Sequence, residues 1–204
     1  EIIYSYYNEK LATDYNDYRL LGWESQEAQY KRFEVLLRAF SVEYKRLLDV
    51  GCGIGSLYKY ITDKGINPKY TGVDIMNGMI EKARMLNPNA DFFCTDVFKS
   101  NMFNEGDFDL VFASGIFNLD LGNNHEFIKN AVTLFDKISC EGFVINLLHP
   151  SSPDREQGYF YIHPDEACYI ISKVCENRVN IEVVQGYLPN DYSIVVYKDN
   201  ELQE

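Results

Sequence analysis

The chain is poor in several things at once. Tryptophan occurs once, methionine four times, and histidine only at His125, His149 and His163. No uninterrupted apolar run approaches the ~18 residues of a membrane-spanning helix, so no such helix is expected. Basic residues are short: 19 Lys and Arg against 31 Asp and Glu leave a net charge of −12. That deficit disfavours nucleic acid as a partner, because such binding rests on Lys and Arg facing phosphates. The five cysteines, Cys52, Cys94, Cys140, Cys168 and Cys175, are odd in number and form no Cys-x-x-Cys pair. They read as reduced thiols in a cytoplasm, not as disulfides or zinc ligands. The start, Glu1-Ile2-Ile3-Tyr4, has neither an initiator Met nor the charged and apolar regions of a signal peptide, so a trimmed or tagged cytoplasmic chain is expected.

Aromatics are abundant by contrast, with 16 Tyr and 13 Phe, and 204 residues suffice for one domain with a sizeable core. Tyr4, Tyr6, Tyr7, Tyr15, Tyr18 and Trp23 crowd an N-terminal stretch without clear periodicity. Ser25 then caps a helix in which Tyr30, Phe33, Leu36, Leu37 and Phe40 recur at helical spacing.

The informative stretch is Leu47-Leu48-Asp49-Val50-Gly51-Cys52-Gly53-Ile54-Gly55, a buried strand entering a glycine turn and a helix that ends at Gly65. Strands follow at 70–75, 91–94, 108–114 and 142–148, with helices at 77–86 (capped by Asn77) and 124–137. This alternation predicts an α/β, doubly wound, mostly parallel sheet with helices on both faces. Pro164 opens a helix to about Cys175. Strands at 180–184 and 192–197 then share a connector too short for a crossover, so they form an antiparallel pair. No domain boundary is evident. One domain is expected, with a helical cover at 1–44, a core at 45–150 and a completing helix and hairpin at 151–204.

Ligands of such sheets lie beyond the carboxyl ends of the strands. Asp74 ends the second strand, 25 positions after Asp49, where a carboxylate can accept from ribose hydroxyls. That suits either a nicotinamide dinucleotide or S-adenosylmethionine. Three details favour the second. Ser56 stands where the dinucleotide fingerprint has its third glycine. Asp49, two residues before Gly51, suits an ammonium and a sulfonium better than a pyrophosphate. Asp96, after the third strand, can accept from an adenine amino group.

Leu48 to Gly55, then Gly72-Val73-Asp74, Thr95-Asp96-Val97 and Phe108-Asp109-Leu110-Val111, together resemble the class I S-adenosylmethionine-dependent methyltransferases over roughly residues 45–150. The resemblance implies a Rossmann-like seven-stranded sheet with a reversed last strand, and S-adenosylmethionine as cofactor with S-adenosylhomocysteine as product. It implies that Gly51, Gly53 and Gly55 line the methionine and ribose, and that Asp74 holds the ribose. Ile75 or Met76 packs on adenine, Asp96 and Val97 meet its edge, and Ser114 and Gly115 border the methyl group. Cys52 lies in the same turn, as a cofactor neighbour, with a catalytic thiol set against the plainer reading of a small buried packing residue. In this fold the N-terminal segment covers the cofactor, which makes Arg19 a partner for the methionine carboxylate and Trp23 a stacking platform, against a plain packing cluster. His149, after the fifth strand, is a general base or simply the turn before Pro150. Tyr187 to Asp191 is a hairpin or an acceptor-site loop. Ala113-Ser114-Gly115-Ile116 replaces the Asn/Asp-Pro-Pro-Tyr segment of amino-group methylases of DNA bases, so a small-molecule acceptor is expected. An NAD-dependent oxidoreductase and a non-catalytic S-adenosylmethionine-binding protein are the alternatives. The acceptor and the oligomeric state stay open.

Overall fold

The computed structural model describes residues 2–13 and 18–198, which leaves Tyr15 of the aromatic stretch outside. Seven strands form one sheet: β1 (Arg46–Val50), β2 (Lys69–Asp74), β3 (Asp91–Cys94), β4 (Phe108–Ala113), β5 (Ser139–Leu148), β6 (Val179–Val184) and β7 (Asp191–Lys198). Their spatial order is β3-β2-β1-β4-β5-β7-β6. β1 pairs in parallel with β2 and β4, and β4 with β5, whereas β7 runs antiparallel between β5 and β6. The reversed last strand and the antiparallel final pair stand as expected.

The helices among the described residues are α1 (Ile2–Leu11), α2 (Gln26–Ala39), α3 (Ser56–Asp63), α4 (Asn77–Leu86), α5 (Asn124–Ile138) and α6 (Pro164–Val174). Both faces of β1 are buried because helices cover both. Leu48 and Val50 pack with Phe135 and Ile171 of α5 and α6. Leu47 packs with Leu36, Leu57 and Ile80 of α2, α3 and α4. Ser25 caps α2 through its Oγ, which accepts from the Ala28 N–H at 3.0 Å.

One local reading needs correction. Asn77 does not cap α4: Met76 holds the cap position and Asn77, the first helical residue, donates its Nδ2 to Glu81 Oε1 at 2.7 Å. The N-terminal aromatic stretch contains a helix, α1, whose residues include none that is buried. Its apolar residues fall on no single face, which is why periodicity gave no sign of it. A third, smaller cluster joins α1 to the sheet: Tyr7 and Leu11 pack against Leu20, Ile54, Met76 and Met79. The cluster lies over the carboxyl ends of β1 and β2.

Phe135 is wholly buried between α5 and the sheet, against Phe143 and Phe98. Phe135→Ala is expected to lower unfolding stability by about 3–5 kcal/mol. Urea denaturation checks this, as a fall in midpoint at constant slope.

Candidate active site

The site is built where β1 meets the glycine turn. The backbone N–H groups of Gly51 and Cys52 both donate to the Val73 carbonyl, at 2.8 and 3.0 Å. Gly51 and Gly53 have φ of +75° and +53°, a region that side chains disfavour. A Cβ on Gly51 would collide with Ile116 Cγ2, and one on Gly53 with Leu21 Cδ2. The backbone conformation favours glycine at both positions, and a larger residue would also have to displace these side-chain ends.

Asp74 ties this turn to the next one. Its Oδ2 accepts from the Gly53 N–H at 3.0 Å and its Oδ1 from the Met76 N–H at 2.9 Å. Burial raises its carboxyl above the usual range, partly offset by these backbone donors. The carboxylate is thus oriented before any ligand arrives.

A cavity of about 390 Å³ opens at this edge. Of the residues expected at a ligand, Gly51, Gly53, Asp74, Ile75, Met76, Asp96, Val97, Ser114 and Trp23 line it. Asp96 is held by the Phe98 N–H at 3.1 Å and pairs with Lys99 at 2.9 Å. Trp23 lies against Gly115, where an added Cβ would come within 2.9 Å of its ring.

Five expected residues do not line it. Asp49 lies behind the turn, on the α2/α3 side of the sheet, and accepts from the Tyr70 hydroxyl at 2.6 Å. Burial, with Asp74 adding to it, pushes its carboxyl up to about 7 despite the Tyr70 hydrogen bond. Cys52 is buried beneath the turn, 3.7 Å from the Gly53 carbonyl, and burial pushes its thiol well up. There it belongs to the cluster that holds Leu47, Leu57 and Phe92. Gly55 sits in the left-handed conformation at the cap of α3, against Asn87 and Phe92. Arg19 lies beside the Tyr18 ring. His149 forms the turn before Pro150: its N–H donates to Asn190 O at 2.9 Å, and its Nδ1 accepts from the Ser151 N–H at 3.0 Å. These contacts carry it toward β7 and away from the cavity. Tyr187 donates no side chain to the cavity either. Its hydroxyl sits 2.7 Å from Ser193 Oγ and accepts from Asn146 Nδ2 at 3.1 Å.

The structure also brings in residues that motif reading missed. Tyr6 and Tyr7 of α1 form a roof over the cavity, and the Tyr6 hydroxyl lies 2.9 Å from that of Tyr159. The short pairing of Leu119 with Tyr159 places that loop. Asn118 lines the cavity beside them. Behind Trp23, a buried polar network supports the wall. Arg32 stacks on the Trp23 ring at 4.1 Å and donates its Nε to Asp191 Oδ2 at 2.5 Å. Asn146 donates to the same oxygen at 2.9 Å and accepts from Ser114 Oγ at 3.5 Å. Arg32 and Asp191 are 159 positions apart, so only the aromatic segment itself hinted at this wall.

Residues 47–137 match a family described as a methyltransferase domain. A protein of Mycobacterium tuberculosis, provisionally named a methyltransferase, is 27% identical over 161 residues, 74% of this chain and 91% of that protein. The malonyl-[acyl-carrier protein] O-methyltransferase of Acetivibrio thermocellus is 34% identical over 103 residues, 47% of this chain but only 36% of that enzyme. Among solved structures, the N-methyltransferase NodS of Bradyrhizobium japonicum, crystallised with S-adenosylhomocysteine, superposes with a TM-score of 0.68. It is 16% identical, covers 98% of this chain and 100% of its own, and shares the fold.

Two predictions follow from the buried charges. An unfolded Asp49 titrates near pH 4, its folded counterpart at about 7. Between these values the native state holds more protons than the unfolded one, so stability falls as pH rises, by up to about 1.4 kcal/mol per pH unit. Asp49→Asn should remove this slope from the ligand-free protein, read as the difference between two denaturation series over pH 4–8; parallel series would contradict it. Arg32→Met leaves the buried Asp191 carboxylate without its cation, with Asn146 as its remaining donor, and should cost about 3–5 kcal/mol, most of it recovered in the Arg32→Met/Asp191→Leu double variant.

Proposed function

We propose that this chain is a class I S-adenosylmethionine-dependent methyltransferase and that it methylates a small molecule held in the 390 Å³ cavity, a reading supported by the methyltransferase-domain match over residues 47–137 and by its methyltransferase relatives. The observation that carries this reading is the Asp74 carboxylate, fixed at the end of β2 beside Gly51 and Gly53 on the cavity wall. The residues present fit the cofactor. Asp74 would hold the ribose hydroxyls, Ile75 and Met76 would offer an apolar wall to adenine, and Asp96 and Val97 would meet its edge. Gly51 and Gly53 allow close approach of the methionine and ribose, and Ser114 borders the methyl group. S-adenosylmethionine supplies, when bound, a methyl carbon activated by a cationic sulfur, so that the acceptor's lone pair forms the new bond as the sulfur–methyl bond breaks and sulfur keeps that electron pair.

The chain's own part is alignment and exclusion of water. Tyr6 and Tyr7 roof the cavity, and Trp23, held by Arg32, closes it at Gly115. Asp49, Cys52 and Gly55 shape the turn from behind. No histidine among the described residues lines the cavity, so in this reading the acceptor's proton passes to water. No described helix is long and apolar enough to cross a membrane. The five free thiols suit a reducing cytoplasm.

Trp23 is the sole tryptophan and lines the cavity, so its fluorescence reports cofactor binding. Asp74→Ala should weaken S-adenosylhomocysteine binding by about 1–3 kcal/mol, roughly tenfold to a hundredfold, as expected for loss of hydrogen bonds to a charged group. Unchanged affinity removes Asp74 from the site.

A further inference from the structure

The cavity continues past the cofactor wall, beneath α1. There it is walled by Ile116, Leu119, Phe127, Tyr6, Tyr159 and Asn118. The charged residues lining the cavity are Asp74, Asp96 and Lys99, and none of them belongs to this group. Asp74 and Asp96 belong to the cofactor wall, and Lys99 is paired with Asp96 and largely exposed. Among the described residues, no arginine, histidine or glutamate lines the cavity.

One polar atom in this half has nothing to bond. Asn118 Oδ1 is buried without a hydrogen-bond partner. With no protein donor facing it, this oxygen is left to accept from a molecule that enters the cavity. The Asn118 backbone is fully engaged by contrast: its N–H donates to Gly115 O at 3.3 Å and its carbonyl accepts from the Phe160 N–H at 2.8 Å. The backbone of Asn118 is therefore anchored, and its side-chain oxygen is left without a protein partner.

We infer that the methyl acceptor is a neutral, apolar-bodied molecule bearing one hydroxyl or amino group, whose O–H or N–H donates to Asn118 Oδ1. The inference rests on the methyltransferase reading and names the substrate class of that same site. A carboxylate or phosphate in this half would lose its hydration with no cation to replace it. A protonated amine would have no lone pair to offer and would be repelled by the sulfonium. A neutral hydroxyl or amine keeps its lone pair, fills the apolar chamber and satisfies Asn118. During transfer its oxygen or nitrogen bonds the methyl carbon, and its proton passes to water.

Calorimetry on the protein saturated with S-adenosylhomocysteine tests this with four probes of one shape at pH 7.5: 4-ethylphenol, 4-ethylaniline, 4-ethylbenzoate and 4-ethylbenzylamine. The first two are neutral, the third anionic and the fourth cationic. The neutral pair should bind at least tenfold tighter than either charged probe. Asn118→Ala should weaken 4-ethylphenol about tenfold while leaving S-adenosylhomocysteine affinity unchanged. A charged probe that binds as tightly as the phenol, or no binding by any probe, overturns the inference. Equal phenol affinity in Asn118→Ala, with cofactor affinity retained, removes Asn118 from the acceptor site and overturns it too. Failure of S-adenosylhomocysteine itself to bind sinks the methyltransferase reading, and this inference with it.

Discussion

One carboxylate holds the ligand-binding edge together. Asp74 bonds the Gly53 N–H with one oxygen and the Met76 N–H with the other, so that two consecutive βα turns share a single anchor. The Val73 carbonyl adds a second tie by accepting from Gly51 and Cys52. The glycine turn, the start of α4 and the mouth of the cavity are consequently fixed relative to one another. Burial makes this carboxyl costly to ionise, and the backbone donors offset part of that cost. A site prepared in this way spends little of its binding free energy on ordering the protein.

Around this anchor the chain places walls of different character. The sheet and its helix layers are closely packed and apolar on both faces. The wall behind Trp23 is polar throughout, an Arg32–Asp191–Asn146 network that reaches Ser114 at the cavity surface. The roof is α1, which has no buried residue of its own and meets the far wall through the Tyr6–Tyr159 hydroxyl pair. A rigid floor, a braced side wall and a lightly attached roof together form an enclosure that can hold a reactive pair apart from solvent.

Much of the fold was legible because its signals are local. Alternating apolar strands and helices, a glycine turn and a connector too short to cross the sheet suffice for a mostly parallel sheet with β7 reversed. What stayed hidden depends on direction and distance. Asp49 and Asp74 belong to one motif pattern, yet Asp49 points with Leu47 to the helix side while Asp74 stands at the open end of its strand. Spacing alone cannot distinguish the two. His149 follows the right strand, but its backbone is captured by Asn190, ahead of β7. Arg32 found its partner across nearly the whole chain, and Asn118 carries no motif at all. Helix α1 escaped because its apolar residues describe no face.

The central claim is that this edge is built for S-adenosylmethionine and not for a dinucleotide. Calorimetric titration of the wild-type protein with S-adenosylhomocysteine and, separately, with NAD tests it most directly. The account predicts saturable, one-to-one binding of S-adenosylhomocysteine and little or no heat from NAD. Tighter binding of NAD would contradict it.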